Sequence, residues 1–362
     1  MNILILGRGN YSLLNRRIDS LREKGQKVFF ISLQPHAKLH DDNFYIKPVA
    51  KGLLGYLLAM PKVFSLLKSL NYDAIDFHGA SSYALFSLLI RRKYMISIYG
   101  PDVYDFALRN VIAKYVVNFI LFRAHTLSCS VGTVHDYLKP FKGLLDKRYA
   151  IVPYGVNPIV DYTEKRKQFR KLFNINDSDN VFIHCRRFMQ FWKVDIIAKA
   201  FINLHSNNSI FLFVYPQPTN EERILVEKVK HELEMAGMLD RVIFIDGLDY
   251  AEYLSAQCAS DVFICIGEND LLANSVIEGM LCQNVMILNK LKSYEISLLK
   301  NEIIWLDANN IDDKLLSSAM HTACNIVPSR KKEIIQRNSE YIEANFIEAK
   351  CTDLLVEEYK ML

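Results

Sequence analysis

The chain has 362 residues, 51% hydrophobic and 23% charged, which suits two globular domains of roughly 100–200 residues and excludes a disordered or fibrous chain. No stretch reaches the ~18 uninterrupted apolar residues that a membrane-spanning helix needs. The net charge of +4 is unevenly spread, with 21 Lys and Arg against 10 Asp and Glu in residues 1–150 and 23 against 30 in the remainder; the basic half without interleaved stacking aromatics sets nucleic acid aside and leaves an anionic membrane face, or plain solvated lysines, as its reading.

Met1 leads into an apolar strand at residues 3–6 with no basic leader ahead of it, so the expectation is a cytoplasmic protein, peripheral on the inner face of the cell membrane. A turn, Gly7-Arg8-Gly9-Asn10, follows. Strands are predicted at 28–32, 74–77, 95–99, 126–129 and 150–152, and helices at 12–24, 56–70, 81–91 and 106–123. This β–α alternation predicts a doubly wound parallel sheet over residues 1–160. The stretches 53–70 and 111–123 are apolar with scattered lysines and arginines. Packing on the sheet is their first reading and a place in a bilayer interface their second. Pro61 is expected to break or kink the first of them.

After Val152-Pro153-Tyr154-Gly155 and a polar stretch with one short helix the alternation restarts. Strands are predicted at 181–185, 210–215, 242–245, 261–266 and 285–288, with helices at 194–204, 221–237, 250–258 and from about 274. A second α/β domain is therefore placed at 165–340, with a helical tail, 341–362, returning to the first. In such sheets ligands bind outside the carboxyl ends of the strands, and two domains facing each other would form a cleft there. The seven cysteines form no Cys-x-x-Cys pair and read as buried hydrophobes, neither disulfides nor metal ligands.

The richest segment is 259–287, where a buried strand ends in Glu268-Asn269-Asp270 and a helix opens at Asn274-Ser275-Val276. Asn and Ser are good helix caps. The amides of a helix start suit a diphosphate, and Glu278, one turn on, can accept from a ribose diol. The plain alternative is a solvated Glu278 on an ordinary helix. The segment Glu278-Gly279-Met280-Leu281-Cys282, with Asp270 eight residues earlier, resembles the acidic-x7-Glu motif of retaining GT-B glycosyltransferases of the GT4-like group, with Glu268 as a rival for the first acid. Residues 184–201 resemble that family's Gly-Arg-x4-Lys-Gly-x-Asp block. Aligned on Asp195 and Ala200-Phe201, Arg187 falls on the family arginine and Trp192 on the lysine, so Lys193 serves only after a one-residue shift. Residues 151–157 resemble the family hinge, with Tyr154 for its Asn. Residues 98–102 resemble its His-Gly-Ser-Asp loop, with Tyr99 for the His.

The resemblance implies two Rossmann-like domains facing across a cleft. The donor side would use Arg187, Lys193, Gly247, Glu268, Asn274, Ser275, Val276 and Glu278, with Asp270 orienting the sugar. The acceptor side would use Gly7, Gly9, Asn10, His78, Tyr99 and Asp102. It implies a UDP- or GDP-sugar as co-substrate, no other cofactor, no metal, and a saccharide or lipid-linked acceptor in cell-surface polysaccharide synthesis. A UDP-sugar 2-epimerase and a degenerate partner subunit are the alternatives.

Overall fold

Every side chain of residues 3–6, 28–32 and 181–184 is buried, as strands covered by helices on both faces require. In the computed structural model, which describes residues 1–298 and 300–362, such runs form two parallel sheets in two units, Met1–Gly155 with Phe346–Leu362, and Val156–Asn345.

The first unit runs β1 (Asn2–Leu6), α1 (Ser12–Glu23), β2 (Lys27–Ser32), β3 (Asn43–Tyr45), α2 (Gly52–Ser69), β4 (Ala74–His78), β5 (Met95–Ser97), α3 (Pro101–Tyr104), α4 (Val111–Arg123), β6 (Thr126–Cys129), α5 (Val134–Leu138) and β7 (Arg148–Ile151). Its strands lie in the order β3-β2-β1-β4-β5-β6-β7. The order reverses between β1 and β4, so the loops after these two strands diverge and leave a crevice.

The second unit runs α6 (Tyr162–Leu172), β8 (Asn180–His184), α7 (Val194–Asn203), β9 (Ser209–Tyr215), α8 (Asn220–Met235), β10 (Val242–Asp246), α9 (Tyr250–Ala259), β11 (Val262–Cys265), α10 (Asn274–Leu281), β12 (Val285–Asn289), α11 (Lys292–Ser297), β13 (Ile304–Leu306), α12 (Asp313–Cys324) and α13 (Pro328–Asn345). Its order is β10-β9-β8-β11-β12-β13, with the switch at β8 and β11.

The boundary differs from the expectation of 160–165 and 341. The chain leaves the first unit at Gly155 and re-enters it at Phe346, where α14 (Glu348–Lys360) begins. Gly155 has φ 78°, and a Cβ there would lie 2.6 Å from Glu348 Cα, so glycine meets both the backbone and the space requirement. Helix α14 is fastened by Arg16 to Glu348 at 2.7 Å, by the Ser20–Thr352 hydroxyl pair at 2.8 Å, and by Tyr359 Oη donating to buried Asp76 at 2.9 Å.

Four helix expectations change, the first being 81–91, which is the 3-10 turn Tyr83–Leu89. Pro61 sits inside α2 without ending it; both Pro61 and Leu57, whose carbonyl loses its partner, are exposed, so water can serve that carbonyl. The stretch 106–123 is a 3-10 turn, Phe106–Leu108, followed by α4, whose start is fixed by Asn110 Oδ1 accepting from Ala113 N at 2.8 Å. Burial holds only for narrow stripes: Gly55, Ala59, Val63 and Leu67 on α2, and Val117, Ile120 and Leu121 on α4, and both helices pack on the 3-10 turn Tyr83–Leu89.

Asp261, just ahead of β11, ties α6 to the second sheet. It accepts from Arg166 at 2.9 Å, Arg170 at 2.8 Å and Val181 N at 3.0 Å. Burial pushes its carboxyl up, but Arg166 and Lys331 more than offset this and hold it below the usual range. Asp261→Asn is expected to cost about 3–5 kcal/mol, because Arg170 stays buried without its counter-charge. The stabilisation is complete above the unfolded carboxyl pKa of ~3.9 and drains away as pH falls through the lower folded value. The acid limb of a stability–pH curve should therefore be shallower in the variant, and an unchanged denaturation midpoint at neutral pH would refute the assignment.

Candidate active site

The carboxyl ends of β8 and β11, the two switch strands of the second unit, bring two expected residues, Asp270 and Ser275, to Arg186, which the sequence analysis did not select. Beyond β8, Arg186 Nη1 donates to Ser275 Oγ at 3.4 Å, and Arg186 Nη2 lies 3.0 Å from Asp270. The guanidinium rests 3.9 Å over the Trp192 ring. Burial works against its charge, but Asp270 more than restores it, so Arg186 is a firm cation. Gly267 makes this stacking possible, since a Cβ there would lie 2.2 Å from Trp192.

Arg187, placed on the diphosphate by the sequence alignment, points elsewhere. Its Nε donates to Glu222 at 2.8 Å, its side chain is 52% exposed, and it lines a separate pocket of about 640 Å³ at the start of α8. Adjacent residues leaving a strand point to opposite sides. The alignment was anchored on α7, and counting from the β8 end would have selected Arg186. Lys193 occupies the position before α7 with a left-handed φ of 53°, and among the described residues its ammonium has no acidic partner.

Helix α10 begins as expected at Asn274, but Ala273 holds the cap position and no side chain caps the helix. The Val276 amide is already used, donating to Ala273 O at 3.1 Å. Glu278 is 3% exposed, which removes the solvated alternative. Tyr250 Oη donates to its Oε1 at 2.8 Å and Tyr253 Oη to its Oε2 at 3.1 Å. Burial first, and then Glu278 itself, push the Tyr253 hydroxyl well above its ordinary range, so it remains a donor. The two tyrosines stand three apart on α9, one face of a helix; that spacing was the available signal for them. Asp270 accepts from Arg186, from Tyr294 Oη at 2.9 Å and from its neighbour Leu271 N at 2.8 Å. Its rival Glu268 is exposed. Gly247, at φ 67°, closes the turn after β10 by donating to Tyr215 O at 3.0 Å.

At the switch of the first unit, a cavity of about 340 Å³ is lined by Arg8, Tyr11, His78, Tyr99, Asp102 and Phe106, among others. Asp102 is committed to the loop backbone, accepting from Ala80 N at 3.0 Å, Tyr99 N at 3.2 Å and Ser81 Oγ at 2.5 Å. His78 lies in a buried polar chain: its Nε2 is 3.1 Å from Asp76, its Nδ1 meets Tyr99 Oη at 2.9 Å, and Tyr154 donates to Tyr99 at 2.9 Å. Burial pushes Asp76 up, but His78 and the hydroxyls of Tyr359 and Ser97 leave it below the usual carboxylate range. Gly7 and Gly9 serve close packing, since a Cβ would meet Leu14 at 2.4 Å in the first case and Gln34 O at 2.7 Å in the second. Asn10 is exposed.

Residues 2–130 match the family model described as glycosyl transferase 4-like. The chain is similar to N-acetyl-alpha-D-glucosaminyl L-malate synthase of Bacillus anthracis, 22% identical over 282 residues, covering 72% of this chain and 70% of that one. Among solved structures it resembles Anabaena HepE in complex with UDP and glucose, at a TM-score of 0.81 and 15% identity over 100% of both chains. It also resembles sucrose-phosphate synthase of Thermosynechococcus elongatus, at 0.80 and 14% over 100% of this chain and 98% of that one.

Proposed function

We propose that the chain, which resembles glycosyl transferase 4-like proteins over residues 2–130 and shares the two-sheet fold of its solved neighbours, moves a hexose-type sugar from a UDP- or GDP-sugar to a hydroxyl of a saccharide or lipid-linked acceptor, with retention at the anomeric carbon. The reading extends to cell-surface polysaccharide synthesis at the inner face of the membrane. The supporting observation is the meeting of Arg186 with the start of α10 at 3.4 Å, one turn ahead of buried Glu278. Charge builds on the diphosphate as the sugar departs, and preorganised cations there lower the barrier. Arg186 takes that charge, assisted by Lys193 and the first amides of α10. Glu278 holds the ribose hydroxyls, since a carboxylate can accept from both hydroxyls of a diol. Asp270, through Arg186 and Tyr294, fixes the sugar end. No cofactor or metal has a part in this scheme. That Anabaena HepE was solved with UDP and glucose favours uridine as the base.

A thermal-shift panel of UDP, GDP and their sugars tests this. The cognate class at ~100 times its Kd stabilises by about 2.7 kcal/mol, a rise of about 4 °C for a chain of this size. Transfer to an acceptor hydroxyl must accompany it. Binding without turnover on any acceptor would return the degenerate-subunit reading, and interconversion of the donor sugar without an acceptor would return the epimerase.

A further inference from the structure

Helices α2 and α4 carry more apolar surface than their unit buries. On α2, Leu53, Leu54, Leu57, Leu58 and Phe64 are exposed. On α4, Val111 is 82% and Ile112 77% exposed, with Tyr115, Val116, Phe119 and Phe122 beside them. The 3-10 turn Tyr83–Leu89 packs against both helices and adds exposed Leu88 between them. The turn Phe106–Leu108 packs against α4 and adds Phe106 and Leu108. Scattered apolar residues on a surface are ordinary, but this many on two helices that pack against one turn mark an interaction site.

The charge around the patch says what it meets. Neither helix contains a single Asp or Glu, whereas Lys62, Lys68, Lys114 and Arg123 lie on them. Cations sit over the exposed rings: Lys68 at 4.3 Å over Phe64, Arg123 at 5.7 Å over Phe119 and Lys147 at 5.0 Å over Phe122. Among the described residues none of these four helix cations has an acidic partner within salt-bridge reach. A protein interface tends to exclude charge from its centre. Rings and aliphatic side chains interleaved with unpaired cations suit the headgroup layer of an anionic bilayer, where the apolar groups sink in and the cations stay at the phosphates. No helix among the described residues is long and apolar enough to cross a membrane, so the contact is interfacial.

We propose that the α2–α4 face docks the first unit onto an anionic lipid surface. This deepens the reading above by naming the partner and the side chains that meet it, and it rests on that reading only for the location. Phe106 belongs both to this face and to the wall of the cavity that holds His78 and Tyr99, so a lipid-linked acceptor would be met at the interface itself.

The test is co-sedimentation of the full chain with vesicles of phosphatidylcholine alone and of phosphatidylcholine with phosphatidylglycerol in equal parts. Binding is expected to the mixed vesicles only, weakening as salt rises. The double variant Ile112→Glu/Tyr115→Glu should lower partitioning by at least ~10-fold, since it removes two inserting groups and adds two repelled charges. Both positions are exposed, so its melting temperature should be unchanged. Leu172→Glu, equally exposed on α6, should bind as the parent does. Absence of binding to mixed vesicles at low salt overturns the proposal, as does binding that the double variant leaves intact. A parent chain that is dimeric in solution and a double variant that is monomeric would make the face a self-association surface instead. Vesicle binding requires no sugar transfer, so loss of the nucleotide-induced melting shift would count against the transfer reading alone.

Discussion

Glu278→Ala is expected to lower kcat/KM by about 10²- to 10⁴-fold and to abolish the melting shift with the cognate nucleotide sugar. Each hydrogen bond to a charged group contributes about 1.5–3 kcal/mol, and a ribose diol would form two with this carboxylate. The surroundings make the loss hard to absorb. Glu278 is 3% exposed, and both its oxygens are held in place by Tyr250 and Tyr253, whose hydroxyls the alanine variant leaves without this acceptor. Tyr253 also takes a hydrogen bond from Gln257 on its own helix, a second layer that fixes the tyrosine. Glu278→Gln keeps the shape but not the charge and should fall between the parent and the alanine variant. The melting temperature without ligand separates a lost binding group from a damaged fold: a purely structural Glu278 would lower it while leaving the ligand-induced shift intact. Full activity in Glu278→Ala would remove the ribose assignment.

How much of this was legible before the coordinates depended on whether the signal was local. Fully buried runs such as 181–184 declared the strands, because a parallel sheet leaves few polar positions in them. The three-residue strands β3 and β13 were missed, since both are only partly buried and lack the apolar run that betrays β5, equally short but fully buried. Glu278 was found because it lies within one unbroken strand–loop–helix segment. Tyr250, Tyr253 and Tyr294 reach the site from other segments; the three-residue spacing of the first two marks a shared helix face but not what that face meets. Tyr99 and Tyr154 were each read as an isolated departure from a family pattern. In the structure they are one feature, with hydroxyls 2.9 Å apart and rings 6.2 Å apart and nearly parallel, and Arg17 3.8 Å from Tyr154. Spatial pairing across 55 positions leaves no trace in a single sequence. The outward faces of α2 and α4 were undecided for a related reason: an apolar helix looks the same whether a sheet or a bilayer covers it.

The two neighbouring arginines should separate sharply in kinetics, and the difference discriminates between an alignment and a geometry. Arg186→Ala should reduce kcat by about 10²- to 10³-fold, the usual cost of removing one preorganised donor from a developing anion, with a smaller change in KM because the charge is greatest in the transition state. Its removal also leaves Asp270 facing the site with Tyr294 but without its cation. Arg186→Lys keeps the charge and loses the planar stacking on Trp192, so it should recover only part of the rate. Arg187→Ala should change kcat by less than about threefold, since its half-exposed guanidinium reaches the buried carboxylate of Glu222 and touches neither Asp270 nor Glu278. That pair abuts the Thr219 cap of α8, so a small loss of thermal stability is its expected signature instead. The reverse order, with Arg187→Ala severe and Arg186→Ala mild, would move the diphosphate to the start of α8 and detach Glu278 from the donor site altogether.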